Sequence, residues 1–250
     1  MTKIYLRRVA AIISAAIMAI YTVSADTITY PDISTSEYKE SIQNLTELNI
    51  VSGDEMGLFN PKENLTRAEA AKILLLMKNI DRSIFDYILE GDNASEYTWG
   101  ITWTDIDKEH WGFPYVILAF HEFLIGFPDD TVRPDENVTY EQFLTMIVRR
   151  LGYGTQAELQ GGYPNGFLTV ADKLNITQNI EIIDAKLPIT REEVTHIVKL
   201  ALDIPICEII GYHYSSDLQQ MSPMTKIYDG SNGTELKTFK SQYWKESEIK

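Results

Sequence analysis

The sequence predicts a mainly α-helical protein built from three helix–loop–helix repeats, with a small C-terminal extension able to form a β-hairpin. Three observations predict it. The chain matches itself when shifted by 73 residues: Tyr30-Pro31-Asp32-Ile33 falls on Trp103-Thr104-Asp105-Ile106, Gly53 on Gly126, Pro61 on Pro134, and Glu63 to Thr66 on Glu136 to Thr139, without a gap. A capping box occurs three times, as Thr66 with Glu69, Thr139 with Gln142, and Thr190 with Glu193. In such a box the threonine and the residue three positions on satisfy each other's backbone N–H groups and start a helix. Behind each box, apolar residues follow helical spacing. A unit with two apolar stripes cannot bury both by itself, whereas three units packed together can.

Taken in order, residues 1–25 read as a secretory signal peptide. Lys3, Arg7 and Arg8 precede the uncharged run Val9 to Val23, and Val23-Ser24-Ala25 offers a cleavage site after Ala25. The apolar run of 15 residues is short for a bilayer span, which needs about 20, so the mature protein is expected to be exported and not membrane-spanning. Cleavage removes three cations and no acid.

Repeat one is assigned to 28–80. Its first helix carries Tyr38, Ile42 and Leu45, and its capped helix Ala70, Ile73, Leu74 and Met77. A connector, 81–102, holds a short helix in Ser83-Ile84-Phe85-Asp86-Tyr87-Ile88-Leu89-Glu90 and a polar loop. Repeat two, 103–151, places Trp111, Tyr115 and Leu118 on its first helix; Phe143, Met146 and Ile147 follow its box, and Arg150 breaks the stripe. Repeat three, 152–202, begins with a Gly-rich, turn-prone stretch from Gly152 to Gly162. It then offers Phe167, Ala171 and Leu174, and after its box Val194, Ile197, Val198 and Ala201. Its start is degenerate, with Tyr163-Pro164-Asn165 the nearest match to the opening motif. In the extension, 203–250, no period is visible before Pro223. Two β-like runs then flank Asp229-Gly230-Ser231-Asn232-Gly233, which reads as a hairpin with a five-residue loop. The last residues look polar and frayed.

Composition excludes several classes. A formal charge of -14 and no basic patch argue against nucleic acid as a partner. One cysteine, Cys207, excludes an intramolecular disulfide framework and a cysteine zinc site. No nucleophile elbow, phosphate loop or H-E-x-x-H motif is present. Glu192 and His196 stand at i, i+4 without further ligands and read as a solvated helix face, and Asp129-Asp130 lacks the alternating oxygens of a calcium loop. No catalytic residue, metal or cofactor is called for.

One residue resists a purely structural reading. Arg67 falls at the first helical position, where a cation opposes the helix dipole. It returns as Arg191 and is lost at Tyr140, while all three boxes survive. A guanidinium beside free N–H groups at a positive dipole end would make a carboxylate or phosphate site.

These motifs resemble the S-layer homology family. The shared pattern is an aromatic and Asp opener (Tyr30-Pro31-Asp32; Trp103-Thr104-Asp105), a loop Gly (Gly53; Gly126), Phe-x-Pro or Val-x-Pro (Phe59 to Pro61; Val132 to Pro134), and the box (Leu65 to Glu69; Val138 to Gln142). The resemblance covers about residues 28–202. It implies three repeats packed as a pseudo-threefold trimer within one chain. It also implies non-catalytic attachment of a secreted protein to the cell wall or S-layer, through anionic, pyruvylated secondary cell-wall polysaccharide bound in grooves between repeats. The residues it nominates are Arg67, Arg191, Asp32, Asp105, Gly53 and Gly126; on physical grounds an aromatic such as Trp103 or Trp111 could stack on a sugar face. The residues themselves leave alternatives open. Asp32 and Asp105 can instead cap or close turns, Gly53 and Gly126 can be turn residues with positive φ, and Trp111 can be core. One or two working grooves are expected. An envelope protein-interaction scaffold and a wall glycan hydrolase remain as alternatives, oligomeric state is open, and residues 203–250 are compatible with a stand-alone protein or a shortened one.

Overall fold

A computed structural model describes residues 29–98, 102–120, 122–215 and 220–245. The expected signal peptide, 1–25, and the last five residues lie outside the described residues. After a 3-10 turn at Pro31–Ile33, the helices are α1 (Lys39–Glu47), α2 (Arg67–Leu76), α3 (Ser83–Leu89), α4 (Ala94–Thr98), α5 (Phe113–Ala119), α6 (Tyr140–Arg150), α7 (Gly154–Leu159), α8 (Asn165–Lys173) and α9 (Arg191–Ala201). Strands β1 (Cys207–Ser215) and β2 (Gln220–Ile227) pair antiparallel, and α10 (Phe239–Tyr243) follows. The fold is mainly α with one hairpin, as the sequence predicts.

All three boxes close as expected. Thr66, Thr139 and Thr190 accept from the N–H of Glu69, Gln142 and Glu193, whose side chains answer the caps' own N–H groups. The stripes behind them face inward: Ala70, Leu74, Met77, Phe143, Ile147, Val194, Ile197 and Val198 are wholly buried. Asn49 (φ 56°), Gly152 (φ 88°) and Asn175 (φ 58°) then turn the chain out of α1, α6 and α8 in the left-handed conformation.

The repeats close on one another through backbone atoms. Val138 N–H donates to Leu65 O (2.8 Å), Leu65 N–H to Ile189 O (3.0 Å), and Ile189 N–H to Val138 O (3.1 Å). Each of these residues precedes a capping threonine, and each is fully buried. The ring of three bonds is the pseudo-threefold centre. Around it, the first two N–H groups of each capped helix donate to the loop of the next repeat. Arg67 and Ala68 use Glu136 O and Pro134 O; Tyr140 and Glu141 use Leu187 O and Ala185 O; Arg191 and Glu192 use Glu63 O and Pro61 O, all at 2.9–3.1 Å.

Four expectations need correction. The turn-prone stretch after Gly152 forms α7, whose Ala157 is buried against α8. The hairpin lies one strand earlier than expected: Cys207–Ser215 is its first strand, and Met224 to Ile227 belong to its second. A register shift between Ile209 and Gly211 breaks the alternation that would have revealed β1. The expected turn at Asp229–Gly233 is closed by a single bridge, Asp229 to Leu236. Finally, Glu192 is not solvated: it is 2% exposed and accepts from Ser36 Oγ (2.6 Å) and Lys62 Nζ.

The extension docks on the body. Trp244 is buried and donates to Met77 O at 3.1 Å, while Phe239 and Lys240 N–H groups donate to Ile204 O and Leu202 O. Thr238 and Ser241 form a fourth capping box, which is hard to see in the sequence because serine replaces the usual Glu or Gln.

Candidate functional site

Each inter-repeat groove is framed by the first turn of one capped helix and the loop of the next repeat. Arg67 Nε donates to Val132 O (2.8 Å) and its Nη2 to Ile125 O (2.9 Å). Arg191 makes the same pair of bonds one repeat away, to Phe59 O (3.0 Å) and Ser52 O (3.1 Å). Residues 59 and 132, and 52 and 125, are related by the 73-residue shift.

The guanidinium of Arg67 is therefore not a free charge beside free N–H groups. The backbone donors of its helix are taken by the neighbouring loop, and two of its own donors hold that loop. Its face lies 4.8 Å from the Phe127 ring centroid. Burial pushes its pKa from 12.5 down to about 10, against the opposing pull of Glu136. Arg191 stacks instead on Phe59, 5.0 Å from the ring centroid, and its Nη1 also meets Glu69 Oε1 at 3.2 Å.

Asp32 and Asp105 act on the other side of the same loop residues. Asp32 accepts the N–H of Phe59 (3.0 Å) and Asn60 (2.7 Å); Asp105 accepts those of Val132 (2.9 Å) and Arg133 (2.6 Å). Phe59 and Val132 are thus gripped through the N–H by an aspartate and through the carbonyl by an arginine. Asn60 and Arg133 adopt φ of 57° and 52°, which these clamps hold in place.

Gly53 and Gly126 do not have positive φ, contrary to the turn reading. They are needed for close approach. A Cβ on Gly53 would lie 2.6 Å from the Tyr30 ring and 2.7 Å from Leu58 O; one on Gly126 would lie 2.9 Å from Trp103 Nε1. Tyr30 Oη also accepts the Gly53 N–H at 3.0 Å. Trp103 is held there edge-on to Phe120 (4.5 Å) and lines neither open groove. Trp111 is not core: it is 49% exposed and forms a wall of the first groove. It lies where α5 is entered, ahead of the residues that turn inward, Phe113, Val116 and Ile117.

Two grooves are open. Groove A, about 390 Å³, runs from Arg191 past Ser52, Gly53 and Asp54 to Lys72, Arg82 and Trp111. Lys72 Nζ sits 5.8 Å from the Trp111 ring and 5.5 Å from Tyr115, and burial lowers its pKa. Groove B, about 290 Å³, runs from Arg67 past Ile125, Gly126 and Phe127 to Gln142, Thr145, Arg149 and Tyr163. Tyr163 therefore takes the place of Trp111 and not that of an opening aromatic. Its pKa is pushed up to about 12 by burial and by its bond to Glu141.

The third inter-repeat position lacks the arginine. Tyr140 replaces the arginine and donates to Glu193. Tyr38 stacks on His196 (4.6 Å) and donates to Asn179 O at 2.7 Å. Burial and Glu193 raise the pKa of Tyr140, so it stays a neutral donor.

Sequence reasoning misses Lys72, Arg82, Glu69 as a groove residue, Gln142, Arg149 and Tyr163. The signal is present in part: the 73-residue shift puts Glu69 on Gln142 and Lys72 on Thr145. Chemically, both grooves present clustered donors and aromatic walls, suited to hydroxyls and anions. Among the described residues no group of His, Cys, Asp and Glu could hold a metal ion, and no helix is long and apolar enough to cross a membrane.

Comparison with known proteins agrees with this arrangement. Residues 29–71 and 104–144 match the family model described as S-layer homology domain. The chain is 27% identical over 201 residues, 80% of its length, to the middle cell wall protein of Brevibacillus brevis, of which that covers 18%. It is 30% identical over 156 residues, 62% of its length, to the surface layer protein of Brevibacillus choshinensis, of which that covers 13%. With the cellulosome-anchoring protein of Acetivibrio thermocellus it shares 33% over 96 residues, 38% of this chain and 19% of that protein. The chain thus spans less than a fifth of the length of these relatives.

Proposed function

This chain is an S-layer homology domain protein, and from that premise we propose that it attaches to the cell envelope without catalysis, by binding anionic, pyruvylated secondary cell-wall polysaccharide in grooves A and B. It is a cell-surface protein associated with the wall, in keeping with the wall, surface-layer and anchoring proteins it resembles. The observation that carries the finer reading is the contrast among the three inter-repeat positions. Where the first helical turn keeps its arginine, a groove of about 290 or 390 Å³ stands open beside it; where Tyr140 replaces it, Tyr140 is tied to Glu193, and Tyr38 stacks on His196 and donates to Asn179 O.

Arg67 and Arg191 shape the rim and supply fixed positive charge. Lys72 and Arg149, which hold no loop carbonyl, can move onto a ligand anion as charge-assisted donors. Trp111 and Tyr163 offer ring faces to sugar C–H surfaces.

The test is co-sedimentation with purified walls before and after the secondary polymer is stripped. Intact walls are expected to pellet the protein, and stripped walls to leave it in solution. Lys72→Ala with Arg149→Ala is expected to weaken binding by about tenfold or more, the scale of one or two charge-assisted hydrogen bonds, with an unchanged melting temperature. Equal binding to stripped walls would support a protein-interaction scaffold instead, and turnover of wall fragments would support a hydrolase.

A further inference from the structure

The two faces of the β1–β2 hairpin are unlike. Cys207, Ile209, Tyr212 and Tyr214 of β1 pair with Ile227, Thr225, Pro223 and Met221 of β2. Alternate residues of a strand share a face, so these four β2 residues lie on one face and their partners lie with them. Glu208, Gly211 and His213 pair with Lys226, Met224 and Ser222 on the other face. The acid, the lysine and the imidazole of these pairs are therefore all on the second face. The first carries no group that is charged at neutral pH.

The register shift between Ile209 and Gly211 makes this division. With unbroken pairing, the two-residue period would group His213 with Cys207 and Ile209, and both tyrosines with Glu208. The extra residue, Ile210, moves Tyr212 and Tyr214 to the uncharged face and His213 to the charged one, as bulges do when they re-aim side chains.

The root of the uncharged face rests on the body. Cys207 is buried, and Gln156 of α7 donates to Cys207 Sγ (3.1 Å) and Thr225 Oγ1 (3.0 Å). Beyond the root the face is bare: Ile209, Tyr212, Tyr214 and Met221 are 51–63% exposed, and none joins the core. At that exposure the two tyrosines offer roughly 250 Å², since a covered aromatic side chain buries about 150–250 Å². Ile209, Met221 and Pro223 bring the face to about 500 Å², a size at which apolar patches are often binding surfaces. Both edges of the hairpin are blunted, β1 by the bulge and β2 by Pro223, which has no N–H for a further strand. A partner therefore meets the face and not an edge.

We propose that this face packs against the same face of a second copy, so that Tyr212, Tyr214 and Met221 of both chains form one apolar layer. Three observations select a second copy. A chain with a formal charge of -14 repels its own kind, least of all through a surface that carries no charge. Two such faces together bury ~1,000 Å², the least that a specific interface requires. Tyrosine and methionine are also self-complementary, because ring against ring and sulfur against ring both attract. The contact uses the same patch on each chain and closes at two copies. It goes beyond envelope attachment and does not depend on the groove reading.

Sedimentation velocity of the secreted protein, over a series from about 1 to 200 µM, tests the pairing, because an interface of this size is expected to have a micromolar Kd. The sedimentation coefficient should rise from that of a monomer to that of a dimer across the series. Tyr212→Ser with Tyr214→Ser should weaken pairing about tenfold or more, the scale of interface anchors. Both residues are exposed and line neither groove, so melting temperature and wall co-sedimentation should match the wild type. His213→Ser with Lys226→Ser, on the charged face, should pair as the wild type does. A monomer at every concentration, unchanged pairing in the tyrosine variant, equal loss in the charged-face variant, or growth beyond two copies would overturn the proposal. Wall binding is read in parallel, and its failure counts against the groove reading alone.

Discussion

Replacing Arg67 by methionine removes the guanidinium and keeps most of the buried stem. Two carbonyls, Val132 O and Ile125 O, then lose donors at 2.8 and 2.9 Å in a place where the residue is only 5% exposed. Hydrogen bonds from a charged donor contribute about 1.5 kcal/mol each at the low end, so the loss is ~3 kcal/mol. For a domain of this size, where 1 kcal/mol moves the midpoint by roughly 2–4 °C, the melting temperature should fall by about 6–12 °C. Differential scanning calorimetry, with urea unfolding followed by far-UV circular dichroism, gives both the midpoint and the free energy. A midpoint unchanged within about 2 °C, well below the range expected when two such bonds are removed, would show that the guanidinium does not hold the loop. The reading of Arg67 as a charge held in reserve for an anion would then return.

Gly53→Ala should destabilise by about 1–3 kcal/mol, as overpacking against the Tyr30 ring and Leu58 O requires, and by more than Gly126→Ala, whose nearest contacts are 2.9 and 3.1 Å; equal, negligible effects in urea titrations would refute close approach as the reason for glycine. The acid limb of the stability curve should depend on His196. Burial lowers its pKa below the ordinary 6.5, so the unfolded chain takes up its proton first. Stability is full above about pH 6.5, the value in an unfolded chain, and is lost as pH falls below it. His196→Gln should flatten this fall in a series of melts between pH 7 and 5, and a parallel fall in the variant would refute it.

The three capped helices are legible because they rest on local chemistry, whereas Ala94–Thr98 and Gly154–Leu159, which carry no cap signal, are not. Thr66, Glu69 and their counterparts need only their own turn to form the box, and the buried stripes behind them follow from helical spacing. Trp111 and Arg150 show where such local reading stops. An apolar ring at a stripe position need not face the core, and Trp111 is half exposed; a charge that breaks a stripe need not face water, and Arg150 is buried, with its Nε on Leu74 O. The strand Cys207–Ser215 is illegible because its register shift cancels the two-residue period on which strand reading depends.

The candidate site divides in the same way. Its positions recur in the chain: Asp32 with Asp105, Gly53 with Gly126, Arg67 with Arg191. Their roles are set by which atoms face them from another repeat. Asp32 meets the N–H of Phe59, and Arg191 meets its carbonyl, across sequence separations of 27 and 132 residues.

By itself the sequence determined three capped helices, the repeat, and the loss of the arginine at Tyr140, since each is a property of residues close in the chain or of the chain compared with itself. Only the tertiary structure decided that Arg67 has a structural task, that Tyr140 is tied to Glu193 where the arginine is lost, and that Glu69 meets Arg191 across repeats. Those outcomes depend on which partner fills each donor's and acceptor's valence across repeats, and that is fixed only when the ring of Leu65, Val138 and Ile189 brings the three repeats together.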